Sequence, residues 1–242
     1  MNMHRKAAIV VGLLYLIATT AGLLGMGVFT QPVLDAPDYL AQMAAQDNQI
    51  LLGALCEMIM AVAVAGIAVA VYPVLQAHSP AIAVGYVVAR LAEAMIFVID
   101  VICLLVLLTL GQAFVAADAV NVAYFHTLGE ILLAVRDWSG HAVLDVAVFP
   151  LGAMLFYALL YRARLVPRWL SGWGLVAAPL YWLAGILVMF HLLTPLSTLH
   201  IALQAPLGLQ ELALAGWLIA RGFTSPVAQS TSVQPKLKGA MS

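Results

Sequence analysis

The chain has few charged residues: Lys, Arg, Asp and Glu together make up 9% of its 242 residues. A soluble domain carries about 25% of these residues, so this chain cannot cover its surface with polar groups. Hydrophobic residues instead make up 64% of the sequence, and the mean hydropathy is +1.05. The shortage of charge excludes the water-soluble globular class and predicts a polytopic membrane protein whose immediate partners are membrane lipids.

An excess of basic residues is also missing. The formal net charge is −1, and no cluster of Lys and Arg is interleaved with aromatic residues. Because nucleic-acid binding requires such a basic surface, the sequence predicts no nucleic-acid partner. Small residues recur along the apolar stretches and would permit close helix packing. They are compatible with a protein partner or a homodimer and specify neither.

Cysteine and the common catalytic motifs are scarce. Cys56 and Cys103 both lie in apolar stretches, without the spacing of a zinc site or of a disulfide framework. The sequence contains no HExxH motif and no GxSxG motif. No lysine occurs within the long apolar stretches, which excludes a retinal Schiff base of the rhodopsin kind. We therefore expect no resident cofactor and favour a protein that is not an enzyme, although these absences leave the question open.

Six apolar stretches are each long enough to cross a membrane as a helix, which takes about 20 residues. In chain order they are residues 7–30, 50–75, 81–110, 138–161, 169–190 and 199–220. Short interfacial helices are expected on the outer side, one beginning near Asp35 and Pro37 and one from Val122 to about Val135. The predicted fold is all-α, a six-transmembrane-helix bundle formed by residues 1–223 and followed by a polar, disordered cytoplasmic tail at 224–242.

Charged residues outside the predicted spans are divided between the two sides of the membrane. With six spans, both termini lie on one side, together with most of the basic residues: Arg5, Lys6, Arg162, Arg164, Arg168, Arg221, Lys236 and Lys238. The opposite loops contain the acidic residues Asp35, Asp38, Asp47 and Asp118. Because basic residues accumulate in cytoplasmic loops, the sequence predicts a multi-pass protein of the plasma membrane with both termini in the cytoplasm.

Three ionisable residues are predicted to lie in the inner half of the membrane. Counting along the helices at about 1.5 Å per residue places Arg90 and Glu211 ~14 Å, and Glu93 ~18 Å, from the cytoplasmic helix ends. A charge at mid-bilayer costs on the order of 2.5–3.5 kcal/mol on insertion scales unless it finds a partner. We therefore predict that Arg90 contacts Glu93 or Glu211 in a structural cluster. A proton or anion relay is the functional alternative.

Four further polar residues count to depths of ~24–30 Å, in the outer half of the membrane. They are Glu57, Asp100, His141 and Asp145. Because the count places no basic residue at that depth, these carboxylates require protons, a cation or water. Mixed His and carboxylate ligands suit zinc, manganese or iron, so the four residues form the candidate ligand or metal site. The ordinary alternative is that they face the headgroup region as separate, solvated groups.

A polar stripe passes through this outer half. If residues 126–145 form a helix, side chains three, four and seven residues apart stack on one face, which collects His126, Glu130, Asp137, His141 and Asp145. Arg136, Asp137 and Trp138 mark the entry of the chain into the outer interface. We expect Trp138 to anchor the chain there, with Arg136 paired locally or bound to a lipid phosphate.

Several runs of residues together resemble a known family. The runs are GALCEMIMAVAVAGIAVAVYPVL, VARLAEA, LLAVRDW, PRWLSGWG and LQELALAGWLIARGF. From about Ala7 to Phe223, the chain resembles the bacterial integral-membrane proteins catalogued as domain of unknown function 4386. The polar positions of that family match Glu57, Arg90, Glu93, Arg136, Asp137 and Glu211 here, whereas Asp100, His141 and Asp145 depart from it. The resemblance implies a membrane protein and carries no activity with it.

Three functions are compatible with these observations. The first is a non-enzymatic membrane protein that binds a lipid, a small apolar molecule or a protein partner through a polar outer pocket. The second is a metal-dependent intramembrane enzyme that holds zinc, manganese or iron with Glu57, Asp100, His141 and Asp145. The third is a proton-coupled transporter, which the sequence favours less because no internal repeat is visible. We favour the first.

Overall fold

Helices make up nearly all of the structure, a computed structural model that describes residues 3–117 and 122–224, and no strand occurs within those ranges. Asp118 and the predicted tail, apart from Thr224, lie outside the described residues. In chain order the helices are α1 (Met3–Gly22), α2 (Gln31–Leu34), α3 (Tyr39–Ala45), α4 (Asp47–Gln76), α5 (Pro80–Val115), α6 (Val122–Asp137), α7 (Phe149–Ala163), α8 (Arg168–Met189) and α9 (Thr198–Ala220), with π-helical segments at Leu23–Thr30 and Trp138–Val148.

Within residues 3–117 and 122–224, five continuous helices are long and apolar enough to cross a membrane. They are His4–Leu34, Asp47–Gln76, Pro80–Val115, Val122–Ala163 and Arg168–Met189, of 31, 30, 36, 42 and 22 residues. Their outward faces carry large apolar side chains such as Val62 and Val176, which are 73% and 67% exposed. An apolar surface of this kind is typical of helices that face lipid, so the membrane-like helical bundle that the sequence predicts is present.

The predicted sixth span is also a helix, α9, with 23 residues. It is not among the five strongly apolar helices of the described chain, because Gln204, Gln210 and Glu211 lower its hydropathy. Helix α9 packs along both α1 and α8, and its Leu214, Ala215 and Leu218 are fully buried. The sixth crossing remains a prediction.

The helix from Val122 to Ala163 differs from its prediction. The sequence predicts a break between an interfacial helix ending near Val135 and a span beginning at Trp138, yet the chain continues through both as one helix. The π-helical segment Trp138–Val148 begins where the sequence predicts that break to end. It ends beside Pro150, which has no N–H to donate and occupies the first turn of α7. A local change of helical hydrogen bonding thus replaces the predicted break.

The short helix α3 folds back onto the ends of α4 and α5. Its Tyr39, Leu40 and Met43 are buried and form the apolar face of this helix. The backbone of α3 lies so close to α5 that a Cβ at Gly111 would be 2.5 Å from the Leu40 carbonyl oxygen. Glycine is therefore required at that position for α3 to dock.

The two described ends of the chain lie together at one end of the bundle. Arg5 donates hydrogen bonds to the carbonyl oxygens of Leu218, Ile219 and Ala220, at 3.1, 2.7 and 3.2 Å, and so places a cation at the C-terminus of α9, where the helix dipole favours it. Thr224 N–H donates to the Leu165 carbonyl in the loop before α8. We call this the proximal end, and the opposite end the distal end.

Candidate functional site

The proximal half contains a buried cluster around Arg90. Its guanidinium donates to both carboxylate oxygens of Glu93 at 3.0 and 2.9 Å, and to Glu211 at 3.3 Å. It also donates to the hydroxyls of Tyr15 and Tyr86 at 2.9 and 3.0 Å. The predicted contact of Arg90 with these carboxylates is present. The tyrosines were missed, although Tyr86 lies one helical turn before Arg90, a spacing that could have revealed it.

A second ion pair occupies the distal half, between α4 and the end of α6. Arg136 donates to the Glu57 carboxylate at 3.3 and 3.4 Å and to the backbone carbonyl of Asp100. Thr30 donates to Glu57 at 3.4 Å, and Ser139 donates to the Asp100 carboxylate. The expectation that no basic residue reaches the depth of Glu57 is wrong, because the long Arg136 side chain extends inward from the helix and is only 12% exposed.

A third polar group surrounds Asp145 on the π-helical segment. One oxygen of its carboxylate accepts a hydrogen bond from the Tyr181 hydroxyl at 2.8 Å, and the other accepts one from the Gln204 amide at 3.0 Å. His141 Nδ1 lies 3.7 Å from the second oxygen, and the rings of His141 and His200 meet edge-on with centroids 5.8 Å apart. The sequence assigned neither Tyr181 nor His200 to a site.

Local backbone features hold this third group in place. A Cβ at Gly185 would lie 2.8 Å from the Asp145 Cβ, so glycine there lets α8 approach the π-helical segment closely enough for Tyr181, one turn earlier, to reach the carboxylate. Helix α9 begins at Thr198 because the Ser197 side chain accepts a hydrogen bond from the N–H of His200. This cap sets the position of His200, which is 1% exposed.

The structure separates the four residues of the predicted outer site into two pairs. Glu57 and Asp100 are linked through Arg136, whereas His141 and Asp145 lie together. Among the described residues, the atoms suited to hold one metal ion belong to His141, Asp145 and His200, all within 4.8 Å of one another. Depth along a helix does not determine which face a side chain occupies, and that rotation divides the predicted site.

A cavity of about 530 Å³ opens between these two pairs, at the distal end. Its polar wall includes Asp100, Asp137 and His141, and its apolar wall includes Leu133 and Met26. The first π-helical segment borders it as well, since Leu23, Met26 and Gly27 belong to its lining. The cavity combines apolar surface with several carboxylates, which is the composition of a site for a small amphipathic molecule.

The three interfacial residues have separate surroundings. Arg136 is held by Glu57, Asp137 lines the distal cavity, and Trp138 is 48% exposed with its ring packed edge-on against His191 at 5.8 Å. Exposure of a Trp ring is compatible with anchoring in a headgroup region, and that role remains a prediction.

A further cavity of about 350 Å³ is bordered by residues of both the distal and the proximal halves. Tyr181 and Gln204, the two hydrogen-bond donors to Asp145, form part of its wall, and Glu93 and Glu211 of the proximal cluster form another part. The distal and proximal polar groups therefore face a common space.

The comparisons with known proteins identify one relationship. A family model described as domain of unknown function (DUF4386) matches residues 10–222, in agreement with the resemblance seen in the sequence. No curated protein and no solved structure matches the chain.

Proposed function

We propose that this protein, which belongs to the DUF4386 family, is a multi-pass membrane protein that binds a small amphipathic molecule in the distal cavity. The family relationship itself supplies no activity. The observation that carries the proposal is the cavity itself. Its volume of about 530 Å³ lies within the range of about 300–1,000 Å³ that ligand pockets occupy. An apolar chain would lie against Met26 and Leu133.

The charges around the cavity define the headgroup. Asp35, Asp100 and Asp137 contribute three carboxylates to the lining, and Arg136 contributes one guanidinium. That guanidinium already donates to Glu57 and to the Asp100 carbonyl, so its charge is largely neutralised. The excess of carboxylates favours a cationic headgroup, such as a protonated amine, over an anionic one.

The membrane arrangement belongs to the same proposal. In it, α9 is the sixth crossing, the segment from Val122 to Val135 and helix α3 lie at the outer interface, and residues 1–223 form one domain of a bacterial plasma-membrane protein. The hydrogen bonds from Arg5 to the C-terminus of α9 support an even number of crossings, because they bring both ends of the bundle to one side. Arg162, Arg164 and Arg168 flank the loop that binds Thr224, which favours a cytoplasmic proximal end.

Proton-coupled transport is the second candidate, and one observation favours it. The cavity of about 350 Å³ is bordered both by the donors to Asp145 and by the carboxylates of Glu93 and Glu211. Water in that space would connect groups that exchange protons. We place it second because Glu93 and Glu211 are both bonded to Arg90, an arrangement that a structural cluster explains equally well.

Filling the distal cavity tests the proposed binding. A Cβ built at Gly140 meets no described atom within 4 Å, and Gly140 lines the cavity, so Gly140→Leu adds a side chain there without disturbing a hydrogen bond. Gly216→Leu is the matched control, since Gly216 also has open space around it and lies on α9 near the proximal end. Binding of radiolabelled dodecylamine to the detergent-purified full chain would be measured, with radiolabelled dodecanoate as the anionic counterpart.

We expect dodecylamine to bind more tightly than dodecanoate, and Gly140→Leu to weaken its binding at least tenfold while Gly216→Leu leaves it unchanged. Asp137→Asn should reduce the preference for the amine, because it removes a carboxylate from the wall. Equal binding of the two probes, or equal binding by both glycine variants, would contradict the proposal.

A further inference from the structure

Three side chains in the distal half have the composition of a metal-binding site. His141 and Asp145 are one turn apart on the π-helical segment, and His200 faces them from the first turn of α9. One ligand atom from each lies within 4.8 Å of the other two. Two imidazoles and a carboxylate are the ligand set of catalytic zinc sites and of many iron(II) sites.

Two ring nitrogens in this group lack hydrogen-bond partners among the described residues. His200 is 1% exposed, and its Nε2 has no hydrogen-bond partner within the described ranges. The Nδ1 of His141 is likewise buried without a hydrogen-bond partner among the described residues, and its nearest charged atom is the Asp145 carboxylate oxygen at 3.7 Å. A buried polar atom without a partner has lost its hydrogen bonds to water, and the great majority of buried polar atoms in folded proteins are paired. Two orphaned nitrogens beside one carboxylate point to a missing ligand.

Hydrogen bonds from two neighbours orient the Asp145 carboxylate but do not occupy all of its acceptor sites. The Tyr181 hydroxyl donates to one oxygen at 2.8 Å, and the Gln204 amide donates to the other at 3.0 Å. Each carboxylate oxygen has two acceptor sites, so one site on each oxygen stays available for a cation. Metal-binding carboxylates are usually held by outer hydrogen bonds of this kind.

We propose that His141, Asp145 and His200 bind a divalent first-row transition-metal ion of the zinc type. Ligands about 2.0–2.1 Å from a tetrahedral ion lie roughly 3.3 Å apart, so side-chain movements of about 1–1.5 Å would close the present separation. His141 also lines the distal cavity and a smaller one of about 160 Å³ beside it, which would give an ion a path to this ligand. This ligand set differs from the one predicted from the sequence, because His200 takes the place of Glu57 and Asp100.

The loop before α9 is coupled to the site. The N–H of Leu196 donates to Nδ1 of His200 at 3.2 Å, so a neutral His200 carries its proton on Nε2. An ion at Nε2 requires that proton on Nδ1, and the Leu196 peptide must then turn away. Leu196 has φ of 59°, a left-handed conformation that a leucine rarely adopts. The same loop carries His191, which packs against Trp138.

Calorimetric titration of the detergent-purified full chain with Zn²⁺ tests the proposal. Titration with Co²⁺ adds a spectroscopic signature, because four-coordinate cobalt absorbs visible light far more strongly than the hydrated ion. We expect one bound ion per chain, with His141→Ala and His200→Ala each lowering the affinity at least tenfold. Tyr181→Phe removes only the hydrogen bond to Asp145 and should lower the affinity by about 10- to 100-fold. His126→Ala is the matched control, since His126 packs among Tyr39 and Phe114 and away from the site.

Helicity and thermal unfolding of each variant would show that it folds, and His200→Gln serves as a second variant if His200→Ala does not. A bound ion should also change the fluorescence of Trp138 through the loop. The proposal is overturned if the double variant His141→Ala/His200→Ala binds Zn²⁺ as tightly as the parent chain, or if cobalt bound to the parent chain shows only the spectrum of the six-coordinate ion. Amine binding in the distal cavity has its own readout, so either proposal can fail without the other.

Discussion

Removing Arg90 alone should destabilise the protein more than removing Arg90 together with Glu93 and Glu211. Arg90 is 4% exposed and binds two carboxylates and two tyrosine hydroxyls. In Arg90→Met, Glu93 and Glu211 lose the charge that compensates them, and breaking a buried ion pair from one side costs about 3–5 kcal/mol. For a chain of this size, where 1 kcal/mol corresponds to a shift of about 2–4 °C, the melting temperature should fall by roughly 6–20 °C.

The triple variant Arg90→Met/Glu93→Leu/Glu211→Leu removes the partners together with the guanidinium. Replacing a buried ionic group by apolar residues of similar volume is often neutral, or stabilising by about 1–4 kcal/mol, so the triple variant should be at least as stable as the parent chain. Arg162→Met serves as the control, because Arg162 is exposed and its loss should stay within about 0.5 kcal/mol. Loss of helicity during titration with sodium dodecyl sulfate measures all four proteins.

The relative stabilities of Arg90→Met, the triple variant and the parent chain show whether Arg90 compensates the charges of Glu93 and Glu211. A triple variant as unstable as Arg90→Met would show that the hydrogen bonds and packing of the cluster stabilise the bundle in themselves. An Arg90→Met variant within about 1 kcal/mol of the parent would show that its carboxylates are already protonated or solvated. Either result would refute the conclusion that Arg90 compensates the charge of two buried, unsolvated carboxylates.

Three further predictions concern topology and packing. With the native cysteines replaced, Asp118→Cys and Arg164→Cys should react with an impermeant maleimide from opposite sides of the membrane, and labelling from the same side would rule out six spans. Gly111→Ala should lower the free energy of unfolding by about 1–3 kcal/mol, since its Cβ would lie 2.5 Å from a carbonyl oxygen of α3. Gly216→Ala, in open space, should raise the free energy of unfolding by up to about 1 kcal/mol. Equal effects of the two substitutions in chemical denaturation would contradict the packing described. Arg136→Met should cost about 3–5 kcal/mol, because it leaves Glu57 buried at 1% exposure without its cation, and an unchanged melting temperature would disprove the pairing.

Most of the architecture was predictable from composition and hydropathy alone. Predicted spans such as 81–110 and 169–190 agree with helices Pro80–Val115 and Arg168–Met189 to within a few residues. A membrane-crossing helix has to satisfy its own backbone and match the thickness of the bilayer. Length and apolarity therefore mark it in the sequence without any knowledge of the neighbouring helices.

The proximal cluster was also predictable, for a related reason. An arginine far from the helix ends has to find an anion within the protein, and few carboxylates lie at its depth. The sequence could not indicate that Tyr15 and Tyr86 complete the cluster, because a tyrosine in an apolar stretch is equally suited to packing or to hydrogen bonding.

The distal groups depended on the tertiary structure. Counting residues gives the depth of a side chain but not the face of the helix on which it lies, and the π-helical segment at Trp138–Val148 changes that face partway along the helix. Arg136, just before that segment, reaches Glu57, and Asp145, within it, faces Tyr181, Gln204 and His200 instead of Asp100. The sequence alone determined which polar residues had to be buried, because their cost in lipid is local. Only the packing of helices decided which of them meet, because that depends on rotations that no single stretch of the chain specifies.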